Sequence, residues 1–307
     1  MIKVHSSIIN RVKKGLVILA IIITVVFLLL FITAWVMESK VKKIVVNELN
    51  KTLITKVDVE DINLSLIRKF PYASLQFKNI TVASAFNNDT NLLEANHLFL
   101  KFSIFDVIRG KYVTKKVDVE NAKLYVKRNH QGNNNYDIWK SSGMNDTTDF
   151  YFDIKQVFLK NIAIVYLDEP TDFSFDVLID KGTLQGAFSS MTYEMTLNGN
   201  LVINQIDIEG QKFFSGQQAA TNINVLVDNY TYFYTINQST LNIDGLSFSV
   251  KGIVNDADDA GIVDIKVISD NITLKEAIAI LPQEYSHYLN QYDYYGFLNL
   301  SRNRAVS

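Results

Sequence analysis

The 307-residue chain contains no cysteine, which excludes disulfides, thiolate metal ligation and a cysteine nucleophile. Its three prolines lie far apart, and no Pro- or Ser-rich linker marks a second domain. Charge is scarce and balanced, at 20% charged residues and a net charge of −2. Basic residues do not cluster beyond the N-terminal flank, so the footprint of a nucleic-acid partner is missing. The four histidines, His5, His97, His130 and His287, are scattered through unrelated contexts. There is no Gly-rich phosphate loop, no HExxH and no Gly-x-Ser-x-Gly elbow. Asp256, Asp258 and Asp259 resemble the front of a calcium loop, but Val267 stands where the closing Glu belongs. Together these absences point away from an enzyme and imply neither cofactor nor metal.

What is present is alternation. Four stretches place apolar residues at every second position, skip a beat at Asn, Asp or Gly, and then resume. They run from Val57 through Val59, Asp61, Ile62 and Leu64 to Leu66; from Val117 through Val119, Asn121, Ala122 and Leu124 to Val126; from Val157 through Leu159, Asn161, Ile162 and Ile164 to Tyr166; and from Leu241 through Ile243, Gly245, Leu246 and Phe248 to Val250. Two looser copies pass through Leu75, Phe77, Asn79, Ile80 and Val82, and through Leu201, Ile203, Gln205, Ile206 and Ile208. Alternation is the mark of a strand with one buried face. A skipped beat would turn that face over unless a bulge absorbs the extra residue, and one bulge type favours Gly or a tolerant Asn or Asp in a left-handed conformation. The pattern therefore predicts bulges at Asp61, Asn79, Asn121, Asn161 and Gly245. It also predicts one apolar lining that includes Val59, Ile62, Leu64, Leu66, Phe77, Val82, Val119, Leu124, Val126, Ile162, Ile164, Ile243 and Phe248.

Residues 16–37 form an apolar run whose polar members are Thr24 and Thr33, with Trp35 near its end. About 20 such residues span a bilayer, and Trp favours its interface. Lys3, Arg11, Lys13 and Lys14 precede the run without an acid, which predicts a cytoplasmic N-terminus. A cleaved signal would need a shorter apolar core and a small-residue cleavage site, and Ala34, Trp35, Val36 and Met37 make a poor one. The expected order is a cytoplasmic tail over 1–14, a membrane helix over 15–37, an amphipathic helix over 38–54 and a mainly β domain over 55–307. Within that domain, turns are expected at 87–89, 131–135, 198–200 and 255–261. Thr273 and Glu276 form a capping box for a short helix that Pro282 interrupts.

Several segments resemble the AsmA-like family. They are Phe70-Pro71-Tyr72 leading a strand that ends at Asn79; the stretch 98–140, with its Ser103-to-Tyr112 turn, Gly132 and Asn135-Tyr136-Asp137; and the helix near Ala277 to Pro282, followed by Tyr294-Tyr295-Gly296-Phe297. The resemblance covers nearly the whole chain through the order of these motifs. It implies an inner-membrane anchored, periplasmic protein with a long curved antiparallel sheet forming an open groove. It also implies a role in phospholipid traffic toward the outer membrane. Family members usually carry more strands, so the strand beginning at Leu298 implies a chain truncated at its C-terminus. A sheet with one apolar face packs against a second layer more often than it stays open. Here the few short helices and the resemblance favour the open groove. The expected function is thus lipid binding and transport, with phospholipid acyl chains and the inner membrane as partners and envelope proteins as further candidates. The alternative is a non-transporting structural or assembly scaffold of the cell envelope.

Overall fold

The computed structural model describes residues 53–65, 72–86, 90–103, 111–138, 150–255, 262–279 and 297–304, with Ile21, Thr24, Val25, Phe105, Asp106, Arg109 and Lys140 besides. The proposed membrane run and the amphipathic stretch lie outside these residues, apart from helical Ile21, Thr24 and Val25 and the end of the stretch at Leu53 and Ile54. Among the described residues no helix is long and apolar enough to cross a membrane.

Among the described residues, alternating β-branched and aromatic residues build thirteen strands in one sheet. They are β1 Val57–Ser65, β2 Tyr72–Val82, β3 Leu93–Ser103, β4 Tyr112–Arg128, β5 Phe150–Asp168, β6 Phe173–Gln185, β7 Thr192–Ile208, β8 Gln211–Phe213, β9 Gln217–Asp228, β10 Phe233–Ile243, β11 Leu246–Asn255, β12 Ile262–Thr273 and β13 Phe297–Arg304. Strands lie side by side in chain order, β8 and β9 sharing one edge of β7. The sheet is long, curved and unclosed. Its two sets of strand ends form two rims, named here after Arg128 and Tyr112, the ends of β4.

Four findings differ from the sequence expectations. The sheet is not wholly antiparallel: β4 and β5 run parallel, with Tyr112 opposite Phe150 and Arg128 opposite Asp168. The chain leaves β4 at the Arg128 rim and re-enters at the Tyr112 rim, a crossover that a parallel pair requires. Second, Asn198, Gly199 and Asn200 are not a turn but lie within β7, paired on both sides. Glycine suits Gly199 because β6 runs close by; a Cβ there would sit 2.7 Å from the Lys181 carbonyl oxygen.

Third, Gly245 is no bulge. Ile243 pairs directly with Leu246, and Asp244 and Gly245, at φ 48° and 89°, form a two-residue hairpin turn. Fourth, the skips in β1 to β5 add no residue. Asn79, Asn121 and Asn161 are left-handed, at φ 46°, 53° and 55°, yet the register runs unbroken past each. Val59 pairs with Ile80 and Asp61 with Lys78; Lys78 pairs with His97 and Ile80 with Ala95. Glu120 pairs with Lys160 and Ala122 with Ile162. These five strands skip at the same level, so the skip is a corner they share. Asp61, one position beyond this level, is not among the positive-φ residues.

Two outward residues in succession, such as Lys160 and Asn161 before buried Ile162, bend each strand around its apolar side. Real register shifts occur elsewhere, at Asp176/Val177 and Ile179/Lys181 in β6 against β7, and at Ile236/Ser239 in β10 against β11. The capping box forms reciprocally: Thr273 N donates to Glu276 Oε2 at 2.9 Å, and Glu276 N to Thr273 Oγ1 at 3.3 Å. It opens α1, Leu274–Ala279.

Candidate functional site: the apolar face

The corner level separates two chemically different faces. Outward, Glu60, Asn79, Asn96, Asn121, Asn161 and Asp180 form a row across β1 to β6, all exposed. Asn79 Nδ2 donates to Glu60, and Asn161 Nδ2 donates to Asn121 Oδ1. The same face carries ion pairs. Lys78 holds the Asp61 carboxyl below its usual range from 3.1 Å, with help from Asn63. Lys101 pairs with Asp118 at 2.6 Å and stands over the Phe158 ring. Farther along lies a trough of about 730 Å³ with mixed walls, bounded by Asp180, Asn200, Asn242 and Asp244 and by Leu178 and Val202 among others. No group of acidic or imidazole side chains among the described residues could hold a metal ion. These polar contacts tie neighbouring strands together and bring no nucleophile and base into contact.

Inward, the face is mainly apolar, with Thr114 and Thr221 also buried in it. One cluster centres on Leu75, Phe77, Phe102 and Ile162, a second on Ile203, Ala219, Ile243 and Phe248, and a third on Leu53, Val82, Leu92 and Ile138. Leu201 packs on both the first and second, and Val57 and Leu93 on both the first and third. The third cluster is closed by backbone: Ile54 N donates to the Ile138 carbonyl at 2.8 Å. Nearby Asn135, fully buried, accepts from Lys127 N and donates to the Tyr125 carbonyl, both at 2.8 Å. The Asn135-Tyr136-Asp137 segment thus folds back over one end of the apolar face.

The lining residues named from the sequence divide by exposure. Phe77, Val82, Ile162, Ile243 and Phe248 are buried by the protein itself. Val59, Ile62, Val119, Leu124, Val126 and Ile164 are half-buried. The Leu64 side chain and Leu66 lie outside the described residues, although the Leu64 backbone pairs with Leu75. Sequence reading missed β6. Its Val177 and Ile179 join the lining, and Phe175 stacks on Tyr166 at 5.3 Å, with Phe173 at 6.1 Å from both. The signal was there, since Phe173, Phe175, Val177 and Ile179 alternate perfectly.

Burial is uneven along the sheet. Leu75, Phe77 and Phe102 are at most 1% exposed, so the face is a packed core over β2 and β3. Over β4 and β5 burial is mixed: Val117, Ala122 and Ile162 are buried, while Val119, Leu124 and Ile164 keep part of their surface open. Among the described residues, no second sheet lies over them. Comparison with protein-family models, curated proteins and solved structures finds no match to this chain.

Proposed function

We propose that the chain is a non-enzymatic lipid-binding protein whose open sheet holds phospholipid acyl chains against its apolar face. The observation that carries this reading is one unclosed sheet with a mainly apolar face, left partly exposed at Val119, Leu124 and Ile164 with no second layer among the described residues. Such exposure is costly in water and useful to an oily ligand. Each methylene withdrawn from water contributes roughly 0.8 kcal/mol, so a chain of them binds without any headgroup contact. The buried residues of β2 and β3 form the floor that keeps this surface in shape. The sequence resemblance to AsmA-like proteins extends the proposal. It makes residues 15–37 a single inner-membrane anchor, the sheet periplasmic, and the activity a contribution to phospholipid transport toward the outer membrane. Without a nucleotide site in the sequence, movement along the face would be diffusive or partner-driven.

A scaffold role remains the second reading, and a specific observation favours it: Phe77 and Phe102 are as buried as any closed core demands. Photocrosslinking separates the two. Benzoyl-phenylalanine placed at Leu124 or Ile164 in the full chain, irradiated in membranes, should yield phospholipid adducts detected by mass spectrometry. The outward positions Lys123 and Lys160 should not. Absence of adducts at both inward positions would leave the scaffold.

A further inference from the structure

We propose that the Tyr112 rim seats on a phospholipid bilayer, with Tyr230, Tyr232 and Met191 entering the headgroup layer. Two turns of identical length make the case. Asp168 pairs with Phe173 across 169–172 at the Arg128 rim, and Asp228 pairs with Phe233 across 229–232 at the Tyr112 rim. Their sequences share one frame, Asp-x-x-Thr-x-Phe. In each the opening Asp takes a hydrogen bond from the Thr: Thr171 Oγ1 donates to Asp168 at 2.7 Å, and Thr231 N to Asp228 at 3.3 Å. In each the fourth residue is left-handed, Asp172 at φ 48° and Tyr232 at φ 53°.

The frame therefore does not require aromatic residues. At the Arg128 rim it carries Glu169, Pro170 and Asp172; at the Tyr112 rim it carries Asn229, Tyr230 and Tyr232. A left-handed position suits Asp, Asn or Gly and penalises a bulky ring. Tyr232 occupies one while 54% exposed, so packing within this chain does not account for it. Strain of this kind points to function.

The turns beside each frame differ in part: the link from Asn255 to Ile262, which starts and ends at the Tyr112 rim, carries Asp256, Asp258 and Asp259, whereas the turn on the other side of 229–232 is uncharged. The Arg128 rim continues with Glu209-Gly210 and Asp244-Gly245, one acid per turn. The Tyr112 rim continues with the uncharged turn 186–191, whose Met191 is 52% exposed and whose carbonyl accepts from Asn229 N at 2.8 Å. Phe105, in the β3–β4 connection at the same rim, is 68% exposed, and Tyr230 79%. Tyr230 and Tyr232 share one turn, Met191 lies on the turn hydrogen-bonded to it, and Phe105 belongs to another connection of the same rim. Protruding rings of this kind can enter between lipid headgroups. Tyr is favoured there because its ring is apolar and its hydroxyl stays wet.

The test uses the full chain in nanodiscs and exploits its lack of cysteine. An environment-sensitive dye is placed by Ser190→Cys, next to Met191, or by Gln131→Cys at the opposite rim. On adding phosphatidylcholine vesicles, emission should shift to the blue at residue 190 and stay unchanged at 131. In the Ser190→Cys background, Tyr230→Ser with Tyr232→Asn should weaken vesicle binding roughly tenfold or more. Asn relieves the left-handed strain, so this variant should melt no lower than its parent, which keeps loss of fold apart from loss of contact. A silent dye at 190, equal shifts at both rims, or unchanged affinity in the double variant overturns the proposal. A shift that grows with protein concentration without vesicles gives the rim to a second copy and overturns it too. Lipid adducts at Ile164 with a silent rim would sink the rim alone; a responsive rim without adducts would sink the groove alone.

Discussion

Asn161 Nδ2 donates to Asn121 Oδ1 at 2.7 Å, joining the parallel pair of strands at the level where both residues turn left-handed. The bond joins two identical corners. In a parallel pair, equal features meet side by side, so two Asn residues can both bend the chain and close a hydrogen bond on the exposed face. The bend is what turns a flat apolar face into a concave one.

That corner can be tested by stability. Asn121→Val forces a β-branched side chain into a left-handed conformation and should cost about 1–3 kcal/mol. Asn121→Gly loses the side-chain bond but keeps the backbone freedom, so it should cost well under half as much. Urea unfolding of the two variants decides: equal losses would show that the backbone conformation at Asn121 does not matter.

Much of the fold was legible in the sequence, because one buried face imposes period-two alternation on each strand. The corner residues Asn79, Asn121 and Asn161 were legible for the same reason. Gly245 was not, and the cause is geometric. In a two-residue hairpin, Ile243 and Leu246 sit directly opposite each other on one face, giving the apolar spacing that a corner gives. Register between strands is also silent in a single sequence, so neither the parallel β4–β5 pair nor the alignment of the corners across the sheet could be read. Gly199 looked like a turn because the close approach of Lys181 that suits glycine there is a tertiary fact.

The Arg128 rim has its own acid response. Lys127 Nζ lies 3.0 Å from Glu169 Oε1, and His130 N donates to Glu169 Oε2 at 2.9 Å. The Lys127 hydrogen bond is the main cause that holds the Glu169 carboxyl below its ordinary 4.5. A depressed carboxylate stabilises the folded state fully above its unfolded value and loses that contribution as pH falls through the folded value. Glu169→Gln should therefore melt below the parent at pH 7, and the gap should close at a pH below the folded value. A gap that persists unchanged into strong acid would remove the charge from the explanation.

The apolar face offers the sharpest contrast between a lipid-holding sheet and a closed core. Ile162 is 4% exposed and Ile164 only half-buried, although both point inward from β5. An Asp at Ile164 can be hydrated from the open side once lipid has left. The same change at Ile162 buries a carboxylate with no partner, which shifts its pKa or unfolds the sheet. Ile164→Asp should thus keep a parent-like circular dichroism spectrum while losing its phospholipid adducts at Leu124. Ile162→Asp should lose the fold itself at neutral pH and recover part of it in acid, where the carboxyl is neutral. If the two variants unfold alike, the face at Ile164 is as closed as at Ile162, and the apolar lining is a core. If Ile164→Asp folds and still crosslinks lipid at Leu124 as the parent does, acyl chains do not lie along β5.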